Sequence, residues 1–481
     1  MSKEIMNEII ASVLHRIKPS QEDYDEINSI CEKFISSLTK KAAERNIKGI
    51  EVRTVGSIAK DTWLKDDRDI DIFVLFPKSC SIDTVRRLGF ELAKETALEI
   101  AGSFSSEYAE HPYVSVSYRG FKVEIVPCYK IAPGEKPITA VDRTPLHTEY
   151  INKKLSSSQK DQVRILKKFL KGIGVYGAEI RIKGFSGYLT ELLIANYGTF
   201  LNVLKAVISW KPYKTIIDVE GKLSEEQKKK YLKKFSSPLI VVDPVDPERN
   251  AASAVSIDAL AELRYAAQMF LLKPSLDFFF PKESEVSLEE IRKIVKERGT
   301  DLIALETLYP KLPEDIFWGE AYKSLKRLCN LLRCFDFNVI NSGVWTDEKN
   351  RLIFILELEA SVLPPVKKHK GPPVGSMNEQ DFLFKHLNNP RDLSRPFSEN
   401  GVWYVFFRRK YTSAETLLKE RALSCGLSKH IRGAMSKKMR ILSTSDILDI
   451  ADHSVVFRQF LYKWLTKHRP WIYVSQSLER K

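Results

Sequence analysis

The stretch "GSIAKDTWLKDDRDIDIFVLF", Gly56 to Phe76, decides the fold, because its apolar end reads as a buried strand and yet carries carboxylates at Asp69 and Asp71. On a strand, side chains alternate between faces, so Ile70 and Ile72 turn to a core while Asp69 and Asp71 project together on the other side. Two carboxylates a few ångströms apart repel and raise each other's pKa, and they stay ionised at little cost only with a cation between them. Mg²⁺ meets that need, since it is held by one or two carboxylates and fills its other positions with water and substrate phosphates. A third carboxylate is at hand in "KVEIV", where Glu124 points away from Val123 and Ile125. Three acids allow a two-metal site, one metal lowering the pKa of a substrate hydroxyl and the other binding a triphosphate and its leaving pyrophosphate. Gly56 lets backbone amides approach phosphate oxygens, and Ser57 adds a hydroxyl. A solvated strand end would explain an isolated pair of aspartates, but not the Gly-Ser before it and the acid on a later strand.

Outward from that stretch, Pro19 and Ser20 open a helix whose apolar positions Ile27, Ile30, Phe34 and Leu38 share one face. Strands are expected at Ile50 to Val55, Ile70 to Phe76, Val114 to Tyr118 and Phe121 to Val126, the last two joined by a tight turn at Arg119-Gly120. From Ser156 to about Phe280 the pattern is mostly helical, with helices through Val163 to Leu170, Tyr188 to Leu204 and Ala259 to Leu272; "PLIVVDPVDPERN" reads as a strand running into a Pro-punctuated loop. Beyond a break near Pro274 to Ser284, Leu302 to Leu308, Tyr322 to Leu332, Val344 and Leu352 to Leu358 read as β-α-β-β, an RNA-binding-type α/β sandwich. The remainder reads as helical with one aromatic strand, "VWYVFFRRKY", and one loop rich in Pro, Lys and Gly, "LPPVKKHKGPPVG". The domains expected are therefore residues 1–150, 151–280, 281–375 and 376–481.

At 481 residues the chain is too long for one ordinary core. The net charge of +14 points to a polyanionic partner, and residues 401–481 hold sixteen Lys and Arg against six Asp and Glu, which makes the C-terminal end the candidate surface. The six cysteines form no CxxC, which argues against a zinc module or a disulfide framework and for a reducing, intracellular setting. Glu4 and Glu8 stand where a basic and then apolar leader would be, and no run reaches about 18 apolar residues, so a soluble, cytoplasmic protein with no membrane partner is expected.

Several stretches carry a more specific likeness. "DRDIDIFVLFP", "YAEHPYVSV", "EIVPCYK", "AVDRTPLHTEY", "YGAEIRIKGFSGYLTELLI" and "VVDPVDPERNAA" resemble the archaeal, class I family of CCA-adding enzymes, within the DNA polymerase β-type nucleotidyltransferase superfamily. The likeness covers about residues 55 to 255 and continues through "LPPVKKHKGPPV" into the tail. It implies a multidomain α+β protein: a polymerase β-like nucleotidyltransferase head, a helical central nucleotide-binding domain, an α/β RNA-binding-type domain and a basic helical tail. It further implies template-independent addition of C, C and A to the tRNA acceptor end, with CTP and ATP as substrates and Mg²⁺ as cofactor; the sequence does not fix the oligomeric state, a homodimer being one option. Carried over by position, Asp69, Asp71 and Glu124 are the catalytic, metal-binding acids; Gly56, Ser57 and Lys60 meet the triphosphate; His147, Lys167 and Tyr176 complete the nucleotide pocket; and Arg249 faces the incoming base. Glu124 stands where the family usually has Asp, and Lys60 where it usually has Arg, a point charge in place of a planar fork.

Other features have plainer readings. "GIGVYG", Gly172 to Gly177, matches a dinucleotide-binding pattern but follows a helical segment, so a helix C-terminus with a glycine-rich turn is expected there. Lys367, Lys368 and Lys370 could belong to a merely solvated loop; beside the basic tail, phosphate contact is the favoured reading, together with Arg432, Lys437, Lys438 and Arg440. Trp403, Tyr404, Phe406 and Phe407 look like base-stacking aromatics, yet as consecutive strand residues at least half are expected in a core. Two rival functions share the scaffold: an ATP-specific transferase of the poly(A) polymerase or oligoadenylate synthetase kind, and a non-catalytic RNA-binding protein.

Overall fold

The computed structural model describes residues 2–45, 48–108, 112–282 and 285–472. The chain divides into two compact units, Met1–Glu283 with Arg469–Lys481, and Ser284–His468.

The first unit opens with α1 (Ser2–Ile17) and α2 (Gln21–Glu44). Ser20 caps α2 in a reciprocal box with Asp23, and Ile27, Ile30, Phe34 and Leu38 are all buried, as their spacing predicts. The elements that follow are β1 (Glu51–Val55), a single turn α3 (Gly56–Ala59), β2 (Asp69–Phe76), α4 (Ile82–Ala101), β3 (Ser105–Tyr108), β4 (Pro112–Tyr118) and β5 (Phe121–Tyr129). They build a sheet of order β1-β2-β5-β4-β3, in which β2 and β5 are parallel neighbours. Arg119 and Gly120 join β4 to β5 with φ of 50° and 78°, the primed turn geometry that matches strand twist. The short strand β3 has no counterpart in the sequence reading.

Next come α5 (Arg143–Lys154), α6 (Ser157–Gly172), α7 (Gly187–Tyr197), α8 (Phe200–Ser209), β6 (Ile216–Ile217), α9 (Glu225–Lys234), β7 (Ile240–Val241) and α10 (Ile257–Leu272). The single helix expected from Tyr188 to Leu204 is in fact two, broken at Gly198 with φ +81°, a conformation that ends helices. "GIGVYG" is the end of α6 and the turn after it, with Gly174 at φ +79°. Val163, Leu166, Phe169 and Leu170 pack with α7, α8 and α10 into one core, which Trp471 joins, its ring tilted against Phe278 at 5.2 Å between centroids. Among the described residues no single helix is long and apolar enough to cross a membrane; α7 and α8 together reach the length but are bent by 92° and line this core.

The second unit holds α11 (Leu288–Arg298), β8 (Asp301–Leu308), α12 (Glu314–Cys334), β9 (Val339–Thr346), β10 (Arg351–Leu358), β11 (Val366–Pro373), α13 (Glu379–Leu387), β12 (Phe397–Glu399), β13 (Val402–Arg408), α14 (Ala414–Arg421), α15 (Lys429–Lys437), β14 (Met439–Leu442), α16 (Thr444–His453) and α17 (Val455–Thr466). The expected β-α-β-β is present as β8, α12, β9 and β10, in a sheet of order β14-β8-β10-β9. Two expectations are corrected here. "VKKHKGPP" is strand β11 rather than loop, at the edge of a sheet of order β11-β13-β12, and within residues 376–481 β12 and β14 stand beside the one aromatic strand expected there. Lys and Pro belong on an edge strand, where they discourage pairing with another chain. Nor do the aromatics of β13 form a core: only Val405 is buried on that strand, because a three-stranded sheet with one helix, α13, against it has little interior.

Candidate active site

Strand alternation places the acids as the sequence requires. Ile70, Ile72, Val123 and Ile125 are fully buried, while Asp69 is exposed and Asp71 and Glu124 are half-buried on the opposite face. In the parallel ladder Asp71 is the register partner of Glu124, and Asp69 that of Lys122. On its other side Asp71 pairs with Val55, the last residue of β1, so the turn beginning at Gly56 lies against its carboxylate. A Cβ at residue 56 would fall 2.0 Å from Asp71 Oδ2, and the residue has φ +71°; both facts require glycine.

Burial, then the charges of Glu124 and Asp69, push the Asp71 carboxyl up to about 6. Partial desolvation by the surrounding groups also raises Asp69, exposed though its outer side is, with Lys122 opposing and Asp67 and Glu124 adding to it. Lys122 Nζ meanwhile lies 2.5 Å from Glu124 Oε1. This is the electrostatic profile of a face short of positive charge. Among the described residues no group of three or more His, Cys, Asp or Glu side chains is arranged to hold a metal ion by itself. Mg²⁺ does not need one, because water and phosphates complete its shell, so an all-carboxylate donor set with one strained member fits it.

A second cluster lies behind the turn. Glu191, on α7, is fully buried and accepts from Lys60 Nζ at 2.5 Å and Thr62 Oγ1 at 2.6 Å; Lys167 Nζ is 3.6 Å away and donates to the Thr62 carbonyl at 2.9 Å and its hydroxyl at 3.2 Å. Burial draws Lys167 down to about 8, against the pull of Glu191. Burial works to raise Glu191, but the two lysines and Thr62 outweigh it and hold the carboxyl below its ordinary range. Tyr176 and Lys167 both approach Gly187, where a Cβ would meet the Tyr176 hydroxyl at 3.0 Å, and Lys171 lies over the Tyr176 ring. Sequence reasoning missed Glu191 and Thr62, although an acid inside the apolar run "YLTELLIA" was a visible signal.

The third cluster centres on Asp243, fully buried after β7. It accepts from His147 Nε2 at 2.9 Å, Arg249 Nη1 at 2.8 Å, the Tyr188 hydroxyl at 2.9 Å and the Val245 amide at 3.0 Å. Burial alone would raise its carboxyl; these donors reverse the effect and hold it far below the carboxylate range. His147 stacks on Tyr188 at 3.9 Å between centroids, and burial lowers its pKa against the opposing pull of Asp243. Arg249 thus braces the loop through Asp243, while Asp246 is bound by Arg143 Nε at 2.8 Å.

These clusters have relatives. The nucleotidyltransferase-domain family matches residues 35–147, the second domain of tRNA nucleotidyltransferase matches 161–280, and the C-terminal domain of CCA-adding enzymes matches 298–444. The CCA-adding enzyme of Methanosarcina barkeri is 35% identical over 464 residues, covering 96% of this chain and 99% of that one. The chain belongs to the CCA-adding enzyme family. The CCA-adding enzymes of Pyrobaculum islandicum, 40% identical over 86% of this chain and 93% of that one, and of Sulfurisphaera tokodaii, 38% identical over 84% and 89%, agree. It is therefore an archaeal-type CCA-adding tRNA nucleotidyltransferase with a multidomain α+β fold.

The basic residues proposed for RNA in this CCA-adding family member all lie in the second unit. Lys367 and Lys368 are engaged by Asp336 and Glu399, and Lys368 lies 4.4 Å from the Tyr404 ring centroid. Lys370 is exposed on the same strand. Arg432, Lys437 and Lys438 are exposed along and after α15, and Arg440, on edge strand β14, reaches Glu306 Oε2 at 3.2 Å.

Proposed function

We propose that this enzyme builds and repairs the 3′-terminal CCA of tRNA from CTP and ATP, on the acid face of β2 and β5, with release of pyrophosphate. The observation that carries the assignment of residues is the register pairing of Asp71 with Glu124 beside the Gly56 turn. Asp69, Asp71 and Glu124 would hold Mg²⁺, which supplies neutralisation of the triphosphate and a lowered pKa for the attacking 3′ hydroxyl. Gly56 and Ser57 shape the turn beside the phosphates, Lys60, Lys167 and Tyr176 bind the triphosphate, and the basic residues of the second unit hold the tRNA backbone. Incubation with tRNA lacking CCA and each labelled nucleoside triphosphate in turn tests this. C and A are expected to be incorporated and U and G excluded; incorporation of A alone would replace it with an ATP-specific transferase.

Arg249 is proposed to read the base. Cytosine and adenine both present a ring-nitrogen acceptor beside an exocyclic amine, whereas uracil and guanine present a ring N–H there. Asp243 fixes one arm of the guanidinium, and five donors leave others for the base. Arg249→Ala is expected to slow CMP and AMP addition about tenfold to a hundredfold and to narrow the preference for CTP over UTP. Should Arg249 only brace its loop, all four nucleotides would be affected alike and the CTP-to-UTP ratio in single-turnover assays would not move.

A further inference from the structure

We infer that Glu191 is the positioning residue of the triphosphate pocket, a single buried carboxylate that holds the ammonium groups of Lys60 and Lys167 in place for a nucleoside triphosphate. The inference rests on the assignment of Lys60 and Lys167 made above. Three observations carry it. First, the buried unit is unbalanced: two ammonium groups face one carboxylate, with Lys167 and Glu191 almost without solvent contact and Lys60 little more exposed. Asp67 and Asp71 act on the two ammonium groups from outside the unit, and a polyphosphate, itself anionic, would be drawn by the same pair. Second, the unit lies between the other two clusters. Lys60 Nζ is 5.7 Å from the ring centroid of Tyr188, which stacks on His147, and its charge is felt at Asp71. Third, donors are divided so that some remain. Lys60 gives a hydrogen bond to Glu191, and an ammonium group has three. Thr62 completes the arrangement by bonding both Glu191 and Lys167.

The charge of Lys167 is set by the groups around it: Glu191 and Asp67 favour it, Lys60 and Lys171 oppose it, and burial opposes it most. A lysine loses its charge as pH rises through its pKa, so withdrawing Glu191 must bring that loss to lower pH. Glu191→Gln is therefore expected to raise KM for CTP about tenfold at pH 7 while kcat changes far less, the scale of one lost charge-assisted hydrogen bond. The alkaline fall of kcat/KM should also move to lower pH. A structural role alone would reduce the active fraction and leave both KM and the alkaline limb unchanged, which would overturn the inference. Lys60→Ala and Lys167→Met separate it from the reading it rests on. If neither raises KM for CTP, the triphosphate assignment itself fails; if they raise it and Glu191→Gln does not, only the inference fails. Should Glu191→Gln not fold, Thr62→Val keeps volume and removes the shared hydroxyl. It is expected to raise KM about threefold, and an unchanged KM would overturn the inference equally.

Discussion

Asp71→Asn is expected to abolish nucleotide addition, by about a thousandfold or more, while the protein stays folded. The amide keeps the shape and the strand but removes the charge most deeply placed among the three acids, the one flanked by Val55 on one side and Glu124 on the other. Because burial and its neighbours already disfavour that charge, its removal should leave melting temperature unchanged or slightly higher. RNA affinity should change little, since the basic residues lie in the second unit. Filter binding, thermal melts and product gels separate the three readouts. Addition of CMP within about tenfold of the wild-type rate would remove Asp71 from the site.

Gly56→Ala should be nearly as damaging for a different reason, and Gly102→Ala supplies the control. Both glycines have left-handed backbones, with φ of +71° and +74°, so both substitutions carry a backbone penalty of about 1 kcal/mol. At Gly102, after α4, an added Cβ meets nothing within 4 Å, whereas at Gly56 it meets Asp71 Oδ2 at 2.0 Å. The Asp71 carboxylate must then leave the position it holds between the turn and Glu124. A loss of kcat of about a hundredfold is expected for Gly56→Ala and near-normal activity for Gly102→Ala, with similar losses of stability from the backbone alone. Equal activity of the two variants would show that close approach at Gly56 is not needed.

The acid face was legible because it depends on local alternation: Asp69, Asp71 and Glu124 are placed by the same period that buries Ile70, Ile72, Val123 and Ile125. The apolar face of α2 followed from spacing in the same way. What the sequence did not reveal are pairings between distant residues. Glu191 binds Lys60 and Thr62 from far along the chain, and no local pattern specifies that a lone acid in an apolar helix has two ammonium partners rather than one. Asp243 was visible beside Arg249, but not as the hub that also takes His147 and Tyr188. Strand β11 was hidden by its composition, since Lys, Gly and Pro describe an edge strand and a loop about equally well. The β13 aromatics were misplaced because burial depends on how many layers cover a sheet, which one strand does not announce.

The coupling of core and acids through one pleat has a genetic consequence. Insertion or deletion of one residue within β2 or β5 shifts the strand by half its period, turning carboxylates into the apolar interior and isoleucines into the solvent at one stroke. Burying ionised groups there is not survivable, so such a lesion erases the fold together with the chemistry. One-codon insertions or deletions in these two strands should therefore leave unfolded chains for proteolysis, and no folded but inert protein to occupy the substrate in place of the active one.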